Sequence, residues 1–183
     1  MRQLAFAALA CLSLSLPALA QEDGDPREDF RISDDLSALP LPVAQMREQL
    51  LAAARSGDIE ALRPIMQAQQ NPPTVSFGEP EDAVAYLKET SSDKQGFESL
   101  AILADLLAAP YGVAKYEGQD PVYIWPYLAG MWDITQLTPA QTVDALRIVS
   151  FETLGELQDL EAWYYWRVVI GSDGEWQAFV AGD

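Results

Sequence analysis

The sequence predicts an α+β fold, with a mostly helical N-terminal two thirds packed on a small antiparallel sheet that includes a C-terminal β-hairpin. Between residues 43 and 107, apolar residues recur at intervals of three and four, as is typical of amphipathic helices. All five tryptophans and six of the seven tyrosines lie between Tyr111 and Trp176. Two runs of strand-forming residues flank the Ser-Asp-Gly turn at 172–174, which predicts the closing hairpin.

The first twenty residues predict a cleavable secretory signal peptide. One basic residue precedes an apolar run at 4–16, which is too short to span a bilayer. The small residues Ala18 and Ala20 occupy the positions that signal peptidases select, so cleavage is predicted between Ala20 and Gln21. The sequence therefore predicts export to the periplasm and no stable membrane anchor after the signal is removed.

Residues 21–42 are predicted to be an acidic flexible segment that leads into a single globular domain at 43–183. The segment holds seven acidic residues, shows no apolar period and ends in Pro40 and Pro42. Its Asp-Gly-Asp run at 23–25 lacks the further spacing of an EF-hand loop, so no calcium site is predicted there.

Four helices are predicted before residue 110 and one after Thr138. Gly57 is placed to end the first helix and Asp58 to cap the second. Pro110 stops the fourth, and Thr138 with Pro139 begins the fifth, whereas residues 150–161 are ambiguous. The predicted helices span residues 43–56, 58–70, 80–89 and 97–107, followed by one that starts at 139.

Two pairs of strands are predicted in the aromatic half. Residues 111–116 and 121–125 flank a turn, and the prolines at 121 and 126 are expected to confine these strands to sheet edges. Residues 163–170 and 176–180 form the predicted C-terminal hairpin.

Several stretches together resemble a family of uncharacterised exported bacterial proteins with an aromatic-rich C-terminal hairpin that ends in Ala-Gly-Asp. The similarity covers most of the chain from about residue 43. It implies export, and it transfers no activity, ligand or catalytic residue. The stretches are residues 56–64 (Ser-Gly-Asp-Ile-Glu-Ala-Leu-Arg-Pro), 123–127 (Tyr-Ile-Trp-Pro-Tyr), 137–139 (Leu-Thr-Pro) and 165–183.

The charge of the chain limits its partners. Removal of the signal takes away Arg2 and no acidic residue, which leaves 10 basic and 28 acidic residues and a net charge of −18. Because polyanions are bound by clustered lysine and arginine, nucleic acid and anionic membrane surfaces are excluded as partners. Cations, basic proteins and neutral ligands remain compatible with this charge as partners.

The chain contains no histidine, and its one cysteine, Cys11, lies in the predicted signal. This excludes histidine-activated nucleophiles, zinc sites built from histidine or cysteine, and structural disulfides. No cofactor and no metal site is predicted. A lipoprotein signal acylated at Cys11 is the alternative, but the apolar stretch before it covers only residues 4–10.

An aromatic cluster is the candidate ligand surface. Flat rings bordered by acidic residues suit sugars, peptides or cationic ligands through stacking and cation–π contacts. In the alternative, the rings fill a core whose helices are rich in alanine. Arg167 joins the set as an arginine on an aromatic strand. The candidate binding residues are Tyr111, Tyr123, Trp125, Tyr127, Trp132 and Arg167.

Arg147 and Arg167 are the only basic residues after Lys115. Arg167 is expected to pair with a carboxylate, for which Asp173 and the C-terminal Asp183 are candidates. An anion-binding role for either arginine would need a pocket.

The sequence predicts a periplasmic binding or interaction module whose aromatic surface engages an envelope component or a basic protein. The first alternative is a hydrolase of envelope glycan that uses a carboxylate pair, such as Glu79 with Glu81 or Asp82, or Asp133 with Asp144. The second is a structural envelope protein without a small ligand. No motif identifies a catalytic residue.

Overall fold

The structure, a computed structural model, describes residues 27–182. The predicted signal peptide, its cleavage pair Ala20 and Gln21, and the terminal Asp183 lie outside the described residues. Within 27–182 the chain forms six α-helices and one five-stranded antiparallel sheet, which confirms the α+β prediction. The helices are α1 (Leu41–Ser56), α2 (Leu62–Gln67), α3 (Ala83–Thr90), α4 (Phe97–Ala108), α5 (Pro139–Leu146) and α6 (Phe151–Asp159). The strands are β1 (Arg27–Ser33), β2 (Tyr111–Tyr116), β3 (Val122–Trp125), β4 (Arg167–Gly171) and β5 (Trp176–Val180).

The five strands lie in the order β1-β2-β3-β4-β5, and each is antiparallel to its neighbour. Helices α1 to α4 connect β1 to β2, and α5 and α6 connect β3 to β4. The expectation that β2 and β3 are edge strands is wrong, because Pro121 and Pro126 flank β3 without removing any of its hydrogen-bond donors. Thr74 pairs in parallel with Ala178 and so covers part of the β5 edge.

The C-terminal hairpin is confirmed, although its first strand begins at Arg167 and not at Trp163. The residues at 163–166 form a non-strand segment before β4. The Trp163 indole donates to the nearby Trp166 carbonyl, and the Tyr164 carbonyl accepts from the Gly182 amide after β5.

The prediction of a flexible segment at 21–42 is wrong for its described part. β1 pairs along its length with β2, and the Phe30 ring lies over two glycines. A Cβ atom on Gly112 or Gly130 would lie 2.6 or 2.7 Å from the Phe30 ring, so a larger residue at either position would displace that ring. The charged residues Asp29 and Arg31 alternate with apolar ones because an edge strand tolerates charge on its exposed side.

Two hydrophobic clusters lie on opposite faces of the sheet. On one face, leucines of α1 and α4 pack on the strand aromatics, and on the other the Tyr127–Gly130 turn packs with α5 and α6. The alternation along β2 separates them, since Tyr111 faces the first layer and Gly112 faces Phe30. The second cluster comprises Tyr127, Leu128, Ile134, Ala145, Val149, Leu154, Leu157 and Trp163.

A buried arginine joins α1 to the end of α4. The Arg47 guanidinium donates from Nε and Nη2 to the Leu107 carbonyl at 3.1 and 2.7 Å, and from Nη1 to Glu48 at 2.7 Å. The last carbonyls of a helix have no partner within the helix, and the helix dipole favours a cation there. Burial lowers the pKa of Arg47 from its usual value, while the Glu48 carboxylate opposes that shift.

We expect Arg47→Ala to lower the free energy of unfolding by about 2–3 kcal/mol, because it leaves the buried Leu107 carbonyl without its charged donor. The measurement is urea unfolding at neutral pH. Arg55→Ala, on the exposed last turn of the same helix, is the matched control and should cost less than about 1 kcal/mol. Equal losses in the two variants would contradict the assigned role of Arg47.

The turn that leads into α4 is organised by the carboxylate of Asp93. Loss of hydration acts to raise the pKa of Asp93, but hydrogen bonds to the ionised form outweigh it and hold that pKa well below its usual range. Gly96 in this turn has a φ of +91° and faces Ile59 so closely that no Cβ fits. The donors to Asp93 are the backbone N–H groups of Gln95, Gly96, Phe97 and Glu98 and the Ser91 hydroxyl.

We expect Asp93→Asn to destabilise the fold at pH 7 and to have a shrinking effect as the pH falls below about 4, the usual aspartate pKa. Because the pKa of Asp93 is lower in the folded state, its stabilisation is complete above the unfolded-state pKa and is lost as the pH falls toward the folded-state value. Urea unfolding at a series of pH values measures this. Asp120→Asn, in the exposed turn between β2 and β3, is the control; a pH-independent effect of Asp93→Asn would refute the assignment.

Candidate functional site

Three of the predicted binding aromatics belong to the core. Tyr111, Tyr123 and Trp125 are 2%, 9% and 0% exposed and face the helices from β2 and β3. The Tyr111 ring centroid lies 6.1 Å from that of Tyr123 and 5.4 Å from that of Trp125, and its hydroxyl donates to the Asp35 carbonyl at 2.9 Å. The prediction of a ligand surface is therefore wrong for these rings, which supply the bulk that alanine-rich helices lack.

Tyr127 is also buried, on the opposite face of the sheet. Its hydroxyl donates to Oδ2 of Asp144 on α5 at 3.1 Å. Burial, together with the hydrogen bond to Asp144 and the charge of that carboxylate, strongly raises the pKa of Tyr127. Tyr127 thus remains a neutral donor that fixes α5 on the second cluster, and it does not form part of a ligand surface.

Arg167 is half-buried on β4, where its Nη1 donates to the Gly182 carbonyl at 2.9 Å. This contact ties the end of the chain to the sheet. Of the two carboxylates predicted as its partners, Asp173 accepts from the Glu175 amide within the hairpin turn, and Asp183 lies outside the described residues.

Trp132 is the one predicted aromatic that the structure places at the surface. Its side chain is 55% exposed, whereas three of the other tryptophans are buried and Trp166 is half-buried against Phe179. It lies in the loop that joins the Tyr127–Gly130 turn to α5.

Trp132 lines a surface pocket of about 310 Å³ with Asp133, Thr135 and Glu161. These four residues are called the Trp132 site. Asp133 is held by the Thr135 amide and hydroxyl, both at 2.7 Å, and these hydrogen bonds lower the pKa of Asp133. The carboxylate is therefore charged at neutral pH.

The end of α6 brings Glu161 to the loop that holds Trp132. Glu161 has a left-handed φ of 59°, and its amide donates to the Gln158 carbonyl as the helix ends. The Gln158 side chain in turn donates to the Ile134 carbonyl at 3.1 Å, which fixes the loop on α6. An exposed indole that shares a pocket lining with two carboxylates and no cationic residue is suited to bind an organic cation.

Sequence reasoning did not find Asp133 and Glu161 as partners of Trp132. The sequence indicates Asp133 only as a possible member of a catalytic carboxylate pair with Asp144, and Glu161 lies far from Trp132 in the chain. The Asp-x-Thr sequence at 133–135 is a usable signal, because aspartate followed two residues later by threonine favours a local turn. The position of Glu161 depends on where α6 ends, which the ambiguous stretch at 150–161 did not predict.

Three of the carboxylates named for a hydrolase, Asp82, Asp133 and Asp144, have structural partners. Asp82 caps α3 through the amides of Ala85 and Val84 and pairs with Arg63 at 3.1 Å, and these contacts lower the pKa of Asp82. A general acid must hold a proton near neutral pH, so a lowered pKa disfavours that role at Asp82 and Asp133. Within residues 27–182, no group of three or more acidic side chains is placed to hold a metal ion.

No protein-family model, no curated protein and no solved structure matches this chain. The resemblance to uncharacterised exported bacterial proteins therefore stays a prediction. No helix within the described residues is both long enough and apolar enough to cross a membrane.

We expect Trp132 to contribute most of the tryptophan emission that acrylamide can quench, because the other indoles are buried or half-buried. Trp132→Phe should remove the quenchable component and shift the remaining emission to shorter wavelength. Trp163→Phe, which changes an indole that is 5% exposed, is the control and should leave the intensity of the quenchable component unchanged. An unchanged quenching curve for Trp132→Phe would contradict the solvent exposure of the Trp132 side chain.

Proposed function

We propose that this chain is an exported interaction module that binds a basic protein, with a lysine or arginine side chain of the partner seated at the Trp132 site. The observation that carries the proposal is the exposed indole of Trp132 in one pocket lining with Asp133 and Glu161. A cation can lie on the indole face while the two carboxylates neutralise its charge.

Magnitudes indicate that the partner makes several contacts. A cation–π contact at an exposed position contributes about 0.5–1 kcal/mol, and each exposed ion pair contributes about 0.2–1 kcal/mol. One site of this kind therefore gives weak binding. A partner with several cationic side chains gains more, because the net charge of −18 that remains after removal of the signal attracts it over a distance and accelerates encounter at low salt.

Export to the periplasm is part of the proposal. It is supported by the signal-like residues 1–20 and by the resemblance to exported bacterial proteins. The composition is compatible with it, since the only cysteine lies within the predicted signal and a domain of this size can be stabilised by its core alone. The other functional classes considered are a glycan hydrolase and a structural envelope protein.

The binding experiment is isothermal titration calorimetry of the purified mature chain with hexalysine and, separately, with neutral peptidoglycan fragments, because this readout does not depend on the Trp132 fluorophore. We expect hexalysine to bind with an affinity that decreases as salt increases, because exposed charges are screened. Trp132→Ala should weaken binding about two- to five-fold, the equivalent of one exposed cation–π contact. Glu161→Gln should weaken it to a similar degree.

Phe151→Ala is the matched control, because Phe151 is 80% exposed on α6 and does not line the Trp132 site. It should bind hexalysine like the wild type. Equal binding by wild type and Trp132→Ala would assign the attraction to net charge alone and refute the site. Absence of hexalysine binding would favour a structural protein, and binding of the glycan fragments in its place would favour the hydrolase.

A further inference from the structure

A small recess lies between the end of α4 and α5, away from the residues of the Trp132 site. Its volume is about 110 Å³, which is space for several water molecules or a ligand of a few non-hydrogen atoms, since one water needs about 10–15 Å³. Ala108, Pro110 and Ile148 supply apolar walls. The charged lining residues are Asp105 of α4 and Asp144 and Arg147 at the end of α5.

The charged groups of this recess have opposite signs, and a hydrogen bond holds one of them in place. Asp144 and Arg147 are three residues apart, so they lie on the same face of α5 and its last turn. The hydrogen bond from the buried Tyr127 hydroxyl holds Oδ2 of Asp144, which leaves Oδ1 available to a ligand. None of the ion pairs between residues of the range 27–182 involves Arg147.

We propose that this recess binds a small zwitterion of the α-amino acid class. The ligand carboxylate pairs with the guanidinium of Arg147, and the ligand ammonium lies against the carboxylates of Asp144 and Asp105. An anion alone would face two aspartates, and a metal ion would face the arginine. A molecule that carries both charges matches every charged group of the lining, and the volume restricts its side chain to a short one.

This inference is independent of the proposed function, because the recess and the Trp132 site share no residue. It also gives Arg147 the pocket that an anion-binding role requires. The arginine is suited to this role because its planar guanidinium can donate two parallel hydrogen bonds to one carboxylate.

The test measures the melting temperature and the heat of binding of the mature chain with glycine or alanine at millimolar concentration. Acetate and methylamine, which each carry one of the two charges, are the ligand controls. We expect a rise in melting temperature with the amino acids and none with either control. If acetate raised the melting temperature as much as the amino acids do, the recess would be a plain anion site. If methylamine did so, it would be an acidic cation site. Either result, or no binding of the amino acids at all, overturns the proposal.

Variants of the lining residues distinguish amino acid binding in the recess from non-specific effects of the ligand on the protein. Arg147→Gln and Asp144→Asn should each weaken amino acid binding about ten-fold or more, because each removes a charged hydrogen-bond partner. Arg147 is exposed, and Asn at 144 retains an acceptor for Tyr127, so both variants should fold, as circular dichroism can verify. Arg55→Gln and Trp132→Ala should bind like the wild type; if Arg147→Gln also does so, the proposal is wrong.

Discussion

The contact between strand aromatics and helix leucines is the interaction on which the rest of this structure depends. The buried rings of Tyr111, Trp125, Trp176 and Phe179 face a helical layer whose large buried residues are mainly leucine. Each aromatic ring buries about 150–250 Å², so these rings dominate the burial that stabilises the sheet. The packing is strong enough to tolerate the buried Trp125 indole N–H, which has no hydrogen-bond partner in the described structure, at a cost of about 1–3 kcal/mol.

That packing decides which surfaces remain for function. Tyr111, Tyr123 and Trp125, which composition indicated as a ligand surface, are buried in the cluster that faces α1 and α4. Tyr127 is buried in the cluster on the opposite face of the sheet. The Phe30 ring occupies the space above Gly112 and Gly130, which closes the sheet face next to the turn before Trp132. The loop that follows is held by α6, so its exposed indole is presented on a rigid support.

The helices and the hairpin were predictable because local chemistry specifies them. Gly57, in a left-handed conformation, ends α1, and Thr138 forms a capping box with Gln141 at the start of α5. β1 was missed because its Asp29–Ile32 alternation is short and lies in an acidic stretch, and because its partners in β2 lie about eighty residues further along the chain. The sequence predicted only part of the Trp132 site. Composition pointed to Trp132 as a candidate binding residue, but the exposure of its side chain and the position of Glu161 depend on long-range packing, which periodicity does not encode.

Trp132 alone among the five tryptophans, all of which lie within residues 27–182, is exposed enough to receive a cationic partner. The most direct measurement is a ¹H–¹⁵N NMR titration that follows the five indole N–H signals while hexalysine is added. The indole signal of Trp132, assigned with Trp132→Phe, should shift progressively, and the signals of the buried tryptophans Trp125, Trp163 and Trp176 should stay in place. A shift confined to the buried indoles, or no shift in any signal, would contradict the claim.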